Sequence, residues 1–325
     1  MVLDLPQAAP RAVRSSDGLK VGLLFAGPRG SPAVAALVDA LAALGHRDGG
    51  SIALLCRYGE GQSGRLPALM RELMAEAPDV IVAVANEAVV QAASACSKIP
   101  IVSANADIDF VGLGLAKSLD KPDGNVTGVS IGAAEAAKLR IALLAKILPK
   151  LSKLTVLMHE GNPANARLLG FMEKASKPCG IELRPVMLSK PDDIEPVFLE
   201  VRSLGAQAVT SLQAPFFYFQ RHALCDLCRQ LRLPLALGEP FSVEAGALLE
   251  VSPDIIGAAR ASAHFVHRIL KGARAGDLPI ERQTTLQVVV NLDVARTLGL
   301  TIDPTISRGG VRYQVRSCEA SDLET

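Results

Sequence analysis

Two short motifs in the chain match patterns that carry chemistry in enzymes. Gly128-Val129-Ser130-Ile131-Gly132 reads GxSxG, which places a nucleophilic serine at a sharp turn between a buried strand and a helix. Residues 121–125, Lys-Pro-Asp-Gly-Asn, precede the motif and are not expected to form that strand. The candidate bases, His264 and His267, lie on a predicted helix beside its apolar face and are expected in solvent. A serine hydrolase using Ser130 is therefore kept only as an alternative.

The second motif, Gly59-Glu60-Gly61-Gln62-Ser63-Gly64, matches the GxGxxG fingerprint of dinucleotide-binding proteins. It follows the second predicted strand rather than the first, and no strand ends in an acidic residue about 20 positions later. A connecting loop is the better interpretation. His264 and His267 have no third ligand in register, so no metal site is predicted. No cofactor is predicted either.

Polar side chains directly after predicted strands are the better candidates for chemistry. Backbone N–H groups at the helix start near Asn86 could receive a carboxylate, and Asp109 or Glu239 could pair with an ammonium group. Turn chemistry alone also favours Asn and Asp. The prediction of a ligand site therefore depends on the convergence of these side chains on one cleft. The residues reached in this way are Asn86, Glu87, Asn105, Asp109, Asn162, Gln213 and Glu239.

The elements that would position these side chains alternate between strands and helices in two runs. The first run has apolar strands at 19–25, 52–56, 80–84 and 99–103. After a loop-rich stretch at 105–130, the second run has strands at 154–158, 183–187, 208–212, 235–237 and 286–290. A helix is predicted around 219–230, between two of these strands. This order predicts an α/β fold of two doubly wound parallel-sheet lobes rather than one barrel. Ligands bind such lobes beyond the carboxyl ends of the strands, so the cleft between the lobes is the expected site.

Composition and charge exclude several classes of function. The chain has 34 Lys and Arg and 33 Asp and Glu, which gives a net charge of +1. Nucleic-acid-binding proteins usually carry a strong positive charge, so this balance argues against that class. No apolar run is long enough to span a membrane. The first 18 residues lack the apolar stretch of a secretory signal. The six cysteines are too widely spread for a disulfide framework.

Several longer segments resemble the substrate-binding proteins of ABC transporters, in the branch similar to aromatic amino-acid binders. The matching strings run from about Lys20 to Ile302 and include SKIPIVSANADID, KPDGNVTGVS, PFFYFQRHAL and VVVNLDVARTLGLTI. The resemblance implies a type I periplasmic-binding-protein fold, with two α/β lobes joined by three crossovers. It also implies binding roles for Ser31, Asn86, Asp109, Asn162, Gln213 and Phe216. The chain departs from its relatives at Asn86 and Glu87, where Thr or Ser and then Pro are usual, and at 246–252, where they read GGLxSYG.

The resemblance also implies a division of the chain. Residues 1–18 are expected to be a disordered leader. One lobe comprises 19–128 with 250–283, and the other comprises 129–249 with 284–306. Residues 307–325 are expected to be an unstructured tail.

The resemblance implies that the chain is the substrate-binding component of an ABC uptake transporter and not an enzyme. Its lobes would close by hinge motion over a small solute, an amino acid or related carboxylate, with a side-chain pocket near Phe216 and Phe217. The expected partners are the permease and ATPase subunits, without nucleic acid, and the chain is expected to be a monomer. The family is periplasmic, whereas the missing signal leaves a cytoplasmic small-molecule sensor on the same fold as an alternative.

Overall fold

The computed structural model of the chain describes residues 18–203, 205–303 and 312–316. Residues 1–17 of the predicted leader, and all of the predicted tail except 312–316, lie outside the described residues. Across the described ranges, no helix combines the length and apolar character needed to cross a membrane.

Strands and helices alternate along the chain as the sequence predicts. The strands are β1 (Leu19–Phe25), β2 (Ile52–Tyr58), β3 (Val80–Val84), β4 (Ile101–Ala106), β5 (Val126–Ile131), β6 (Lys153–His159), β7 (Glu182–Leu188), β8 (Ala208–Ser211), β9 (Leu235–Leu237), β10 (Leu249–Pro253), β11 (Ile280–Gln283), β12 (Leu286–Asn291) and β13 (Arg312–Arg316). The helices are α1 (Pro32–Ala43), α2 (Leu66–Ala75), α3 (Asn86–Ala95), α4 (Ala133–Ile147), α5 (Asn165–Ser176), α6 (Ile194–Ser203), α7 (Pro215–Leu231), α8 (Ile255–Leu270) and α9 (Leu292–Thr297).

The described strands form two sheets. The first has the order β11-β5-β4-β3-β1-β2 and is parallel throughout. The second has the order β13-β12-β10-β9-β8-β6-β7 and is parallel except where β10 pairs with β12. In the first sheet β1 lies between β2 and β3, and in the second β6 lies between β7 and β8. Each sheet thus has a switch point where ligands bind in this kind of fold. The predicted fold class is confirmed.

Buried apolar strands and amphipathic helices explain why these elements form. All five residues of β3 are buried, and four of them are Val or Ile, which suits a strand covered on both faces. The stripe of α2 at Leu66, Leu69, Met70 and Leu73 is buried, and this helix packs on β1 and β2.

The chain passes between the two sheets at three places, near residues 132, 254 and 284. Two of them differ from the predicted division. β5 continues to Ile131 within the first sheet, beyond the predicted boundary after residue 128. β10 pairs within the second sheet, although residues 250–253 were expected in the first lobe. The crossing lies after β10, and α8 then packs against α1, β4 and β5.

Five elements were missed in the sequence, namely β5, α4, β10, β11 and β13. β5 lies in the stretch predicted to be loop because Gly128 and polar residues interrupt its apolar pattern. A Cβ at Gly128 would lie 2.3 Å from the Ser103 carbonyl oxygen of β4, so this close approach requires glycine. The Ala-rich helix α4 was missed because alanine gives little contrast between its faces. β13 lies within the predicted unstructured tail and pairs with β12, which corrects that prediction for 312–316.

Candidate functional site

A cleft between the two sheets is the candidate functional site. The space within the cleft and at its open mouth together amounts to about 760 Å³. Loops after β1, β3 and β4 line it from one side, and loops after β8 and β9 line it from the other, together with the starts of α4 and α8. The polar lining residues are Ser31, Asn86, Glu87, Asn105, Asp107, Gln213 and Glu239. Much of the remaining lining is apolar or aromatic, including Phe25, Val84, Ile131, Tyr218, Phe219, Phe241 and Ile256.

Three residues that line this cleft have a strained backbone. Ala85, Asn105 and Phe241 line it and have φ angles of 78°, 60° and 62°. Ala85 also has ψ of 164°, a conformation that is almost confined to glycine. Such residues cost about 1–3 kcal/mol each and persist where the surrounding structure enforces them, often at binding sites. At Ala85 the strained turn leads directly from β3 into α3, so the start of α3 lines the cleft.

Glu87, in the first turn of α3, is a buried acid without a cationic partner. Its side chain lines the cleft, the residue is 6% exposed, and its Oε2 atom has no hydrogen-bond partner among the described residues. Burial raises the pKa of this carboxyl to about 7, and a hydrogen bond from its own backbone N–H opposes the shift. The Oδ1 atom of Asn105 and the Oε1 atom of Gln213 are also buried and unpartnered. Three acceptor oxygens of lining residues are therefore available to a ligand.

A second acid of the cleft, Glu239, is held within a hydrogen-bonded network. Its Oε2 accepts from the Ser211 hydroxyl at 2.9 Å, and its Oε1 accepts from the backbone N–H of Ala214 at 3.2 Å, at the start of α7. Burial raises the pKa of Glu239 to about 7, and the charge of Arg140 opposes this shift. The buried Arg140 guanidinium donates to the Thr210 hydroxyl at 2.9 Å and to the Ser211 carbonyl at 2.6 Å.

Glu250 supports the loop that carries Phe241. One carboxylate oxygen of Glu250 accepts from the Ser242 backbone N–H at 2.9 Å, and the other accepts from the Ser252 hydroxyl at 2.8 Å. The Ser242 hydroxyl in turn donates to the Glu239 carbonyl at 2.5 Å. Glu250 lies at one of the positions where the sequence departs from its relatives. Its place in β10 makes it a support for the cleft loop rather than a lining residue.

Polar contacts join the two sides of the cleft. The Asn86 side-chain amide donates to the Asn162 Oδ1 at 3.0 Å, and the Asn162 amide donates to the Gln213 carbonyl at 2.9 Å. Asp107 forms an ion pair with Arg167 of α5, and its Oδ2 accepts from the second backbone N–H of α4 at 2.9 Å. Burial raises the pKa of Asp107, although Arg167 opposes the shift. These contacts hold the two sides together.

A close contact between the Ser63 side chain and Gly161 also links the two sides. Ser63 follows β2, and Gly161 follows β6. A Cβ at Gly161 would lie 2.0 Å from the Ser63 Oγ and 2.5 Å from the Ser63 Cβ, so only glycine fits. Ser63 belongs to the GxGxxG segment, which is a connecting loop between β2 and α2.

The cleft gathers most of the predicted site residues but not all of them. Ser31, Asn86, Glu87, Asn105, Gln213 and Glu239 line it. Asn162 is buried behind the lining, where it contacts Asn86.

Asp109 and Phe216 do not line the cleft. β4 ends at Ala106 rather than at 103, so Asp107 takes the lining position, while the exposed Asp109 accepts from the Gly112 backbone N–H at 2.8 Å. α7 begins at Pro215, which favours the first helical turn. With that start, the Phe216 side chain is buried in an apolar core of the second lobe, where its ring stacks on that of His159 with 4.7 Å between the ring centroids. Phe217 is buried in the same core, so the side-chain pocket predicted near it is filled.

Sequence reasoning also missed Asp107, Tyr218, Phe219 and Phe241 as lining residues. If the end of β4 had been predicted correctly, Asp107 would have been expected in the lining. A correct prediction of the start of α7 would likewise have placed Tyr218 and Phe219 at the cleft. Phe241 follows Pro240 after β9, and nothing in the sequence signals its left-handed backbone.

Ser130 lies within β5 and is 4% exposed. Residues 121–125 form no strand, as expected, but β5 begins at Val126 and therefore does precede Ser130. Its backbone is extended and not in the strained conformation of a nucleophile elbow, and no hydrogen bond joins it to a described histidine. His267 is not free in solvent, because its Nδ1 lies 2.9 Å from the His46 Nε2. The described ranges hold no group of three potential metal ligands.

Two sheets whose switch points face each other across a cleft define the class of two-lobed periplasmic-type binding proteins. The family model described as ABC transporter substrate binding protein matches residues 21–311. The chain therefore belongs to the ABC transporter substrate-binding protein family, which confirms the resemblance seen in the sequence. This is a family of solute-binding proteins, not of enzymes, that bind small molecules and work with ABC permeases.

Curated and solved relatives agree with this family. A tyrosine-binding protein from Clostridioides difficile (strain R20291) is 22% identical over 279 residues, or 85% of this chain and 78% of that protein. The ABC domain from Streptococcus pneumonia in complex with L-Trp is 22% identical, with a TM-score of 0.82 over 92% of this chain and all of that one. The ligand-free, open structure of a substrate-binding protein with adhesive properties from Clostridium difficile is 19% identical, with a TM-score of 0.61 over the same shares.

Proposed function

We propose that this chain captures a small solute with an aromatic or apolar body in the cleft between its two sheets. The observation that carries the proposal is the set of unpartnered acceptor oxygens of Glu87, Asn105 and Gln213 within a largely apolar lining. Buried polar atoms are normally hydrogen-bonded, so unpartnered ones that line a cleft favour a ligand as their partner. They come from both sides of the cleft, so one solute would contact both lobes at once.

Aromatic side chains in the lining support an aromatic body for the solute. Tyr218, Phe219 and Phe241 supply one side, and Phe25 supplies the other. Aromatic pairs add about 0.5–1.5 kcal/mol beyond the burial of their area. A relative named for tyrosine binding and a neighbour in complex with L-Trp support the same class of solute. Ser31 and the start of α1 lie in the same lining and are available to an acceptor group of the solute.

We propose further that the lobes close over the solute and that the described arrangement is the closed one. The contacts of Asn86 with Asn162 and of Asp107 with Arg167 cross the cleft and would break on opening. The higher TM-score with the tryptophan complex than with the ligand-free, open structure supports this assignment. Hinge closure of two lobes around a ligand is a common mode of motion in binding proteins.

In this proposal the closed chain is a monomer that delivers its solute to a permease and its ATPase subunits, carries out no reaction, and works in the periplasm. Family membership supports the partners and the location. The residues that line the cleft are proposed as its ligand contacts, with Asn162 holding Asn86 from behind.

A calorimetric binding screen tests the function. Purified full-length protein is titrated with aromatic amino acids, aromatic amines, aromatic acids and polyols, and we expect at least one aromatic compound to bind. Phe219→Ala should then weaken binding about 10- to 150-fold, because burying an aromatic side chain contributes about 1.5–3 kcal/mol. Leu199→Ala is the matched control, since Leu199 is 64% exposed on α6 and outside the cleft lining. Binding by no compound, or equal loss in both variants, contradicts the proposal.

A further inference from the structure

We propose that the solute is an amine that carries a positively charged nitrogen, and that Glu87 is its counter-ion. This inference rests on the solute-binding function proposed above and names the chemical class of the ligand. It differs from the sequence expectation, in which Asp109 or Glu239 receives an ammonium group and the helix start at Asn86 receives a carboxylate.

The charges around the cleft single out Glu87. Asp107 is paired with Arg167, and the charge of Arg140 acts on Glu239, which also accepts three hydrogen bonds from its neighbours. Glu87 has no such partner, and its Oε2 atom is buried without a hydrogen bond. No Lys, Arg or His belongs to the described cleft lining. A buried carboxylate without a partner is costly, so a cation supplied by the ligand would be bound strongly.

The number of available acceptors fits an ammonium group. An ammonium presents three N–H donors and no acceptor. The lining offers three unpartnered acceptor oxygens, on Glu87, Asn105 and Gln213. Asn105 is held in a left-handed conformation immediately before Ala106, the last residue of β4. A positively charged amine therefore matches these acceptors in the number of its donors and matches Glu87 in charge.

A carboxylate placed at the neighbouring helix starts would meet charges of its own sign. The first turn of α3 carries Glu87, the start of α4 donates to Asp107, and the start of α7 donates to Glu239. These acids already occupy the positive ends of three helices that line the cleft. A ligand that had a carboxylate and no amine would gain little at these three helix starts and would leave Glu87 without a counter-ion.

Two matched series of compounds test the inference on the full-length protein by calorimetry. The first series is phenethylamine, L-phenylalanine and 3-phenylpropionate, and the second is tryptamine, L-tryptophan and indole-3-propionate. Each series shares one aromatic body and varies only the charged groups. In the series that binds, we expect the compounds with an amine to bind at least about 30-fold more tightly than the carboxylate without one.

Glu87→Gln should weaken binding of the same amines about 30-fold or more, because it removes the charge while keeping a side chain of similar shape. Glu87→Asp keeps the charge and should retain part of the affinity, which separates loss of charge from loss of folding. Glu195→Gln, an exposed acid on α6, is the matched control and should bind as the wild type does.

The outcomes separate this inference from the proposed function. If 3-phenylpropionate or indole-3-propionate binds as tightly as the matching amine, the amine assignment is wrong while solute binding stands. Unchanged amine affinity in Glu87→Gln also overturns the role of Glu87. If no compound of these series or of the wider screen binds, both proposals fail.

Discussion

Gly161→Ala is expected to impair closure of the cleft without impairing the fold. Gly161 and Ser63 belong to opposite lobes and approach each other in the described arrangement. A Cβ on residue 161 would lie 2.0 Å from the Ser63 Oγ and 2.5 Å from the Ser63 Cβ, whereas ordinary contacts begin at 3.4 Å. Rotation of the Ser63 hydroxyl relieves the first clash but not the second. The two loops must therefore move apart by roughly 1 Å, and overpacking of this kind costs about 1–3 kcal/mol.

That penalty applies to the closed arrangement alone, because the loops separate when the lobes open. Affinity for any solute should therefore fall by about 5- to 150-fold, since each 1.4 kcal/mol is a factor of ten. Calorimetric titration with the tightest compound of the screen measures this loss. The free protein should unfold at nearly the wild-type temperature, because the backbone of Gly161 does not require glycine.

Two further variants keep this prediction refutable. Ser63→Gly removes the Cβ that the new methyl group would meet, so the double variant should recover most of the lost affinity. Gly170→Ala is the matched control, because Gly170 lies in α5 of the same lobe and a Cβ added there would meet no atom within 4 Å. It should bind normally and gain up to about 1 kcal/mol of stability from better helix propensity. Wild-type affinity in Gly161→Ala, or no recovery in the double variant, would refute the reasoning.

Three other predictions concern Glu87, Asp107 and Gly128. Glu87→Gln should stabilise the free protein, relative to the wild type, by up to about 3 kcal/mol more at pH 8 than at pH 5. The reason is that the pKa of Glu87 is raised from 4.5 to about 7, so the folded wild type loses stability as the pH rises over that range. Urea unfolding measures the difference in stability between the two proteins, and an equal difference at both pH values contradicts this prediction. Asp107→Asn should weaken binding by roughly 5-fold and reduce its salt dependence, since the pair with Arg167 is lost; titrations at two salt concentrations decide. Gly128→Ala should destabilise the fold by roughly 3 kcal/mol or more through contact with Ser103 and a φ of 119°, and an unchanged denaturant midpoint would count against the close pairing of β4 and β5.

Much of the fold could be predicted from the sequence because its strands are short apolar runs between helical periodicities. β1, β3 and β9 have the bounds that the pattern predicts, and the family strings extend over both lobes. The loops after these strands supply Ser31, Asn86, Glu87 and Glu239, since the topology alone brings the carboxyl ends of parallel strands to one edge.

The remaining features depend on packing that periodicity does not encode. The ends of β4 and the start of α7 each lie a few residues from their predicted positions. A difference of that size is enough to put Asp107 in the cleft lining instead of Asp109, and Tyr218 instead of Phe216. β5 is stabilised by its neighbours on both sides rather than by its own sequence. The positive φ of Ala85 is likewise imposed by its surroundings, and an alanine in the sequence does not predict such a backbone conformation.

The most direct test of solute binding in the cleft is a crystal structure of the protein with the tightest compound of the two aromatic series. We predict an aromatic ring between the two lobes, among Tyr218, Phe219 and Phe241, and an amine nitrogen within hydrogen-bond distance of Glu87 Oε2. The contact between Asn86 and Asn162 should be present in that complex. A solute bound outside the cleft, or one whose carboxylate rather than amine faces Glu87, would contradict the account.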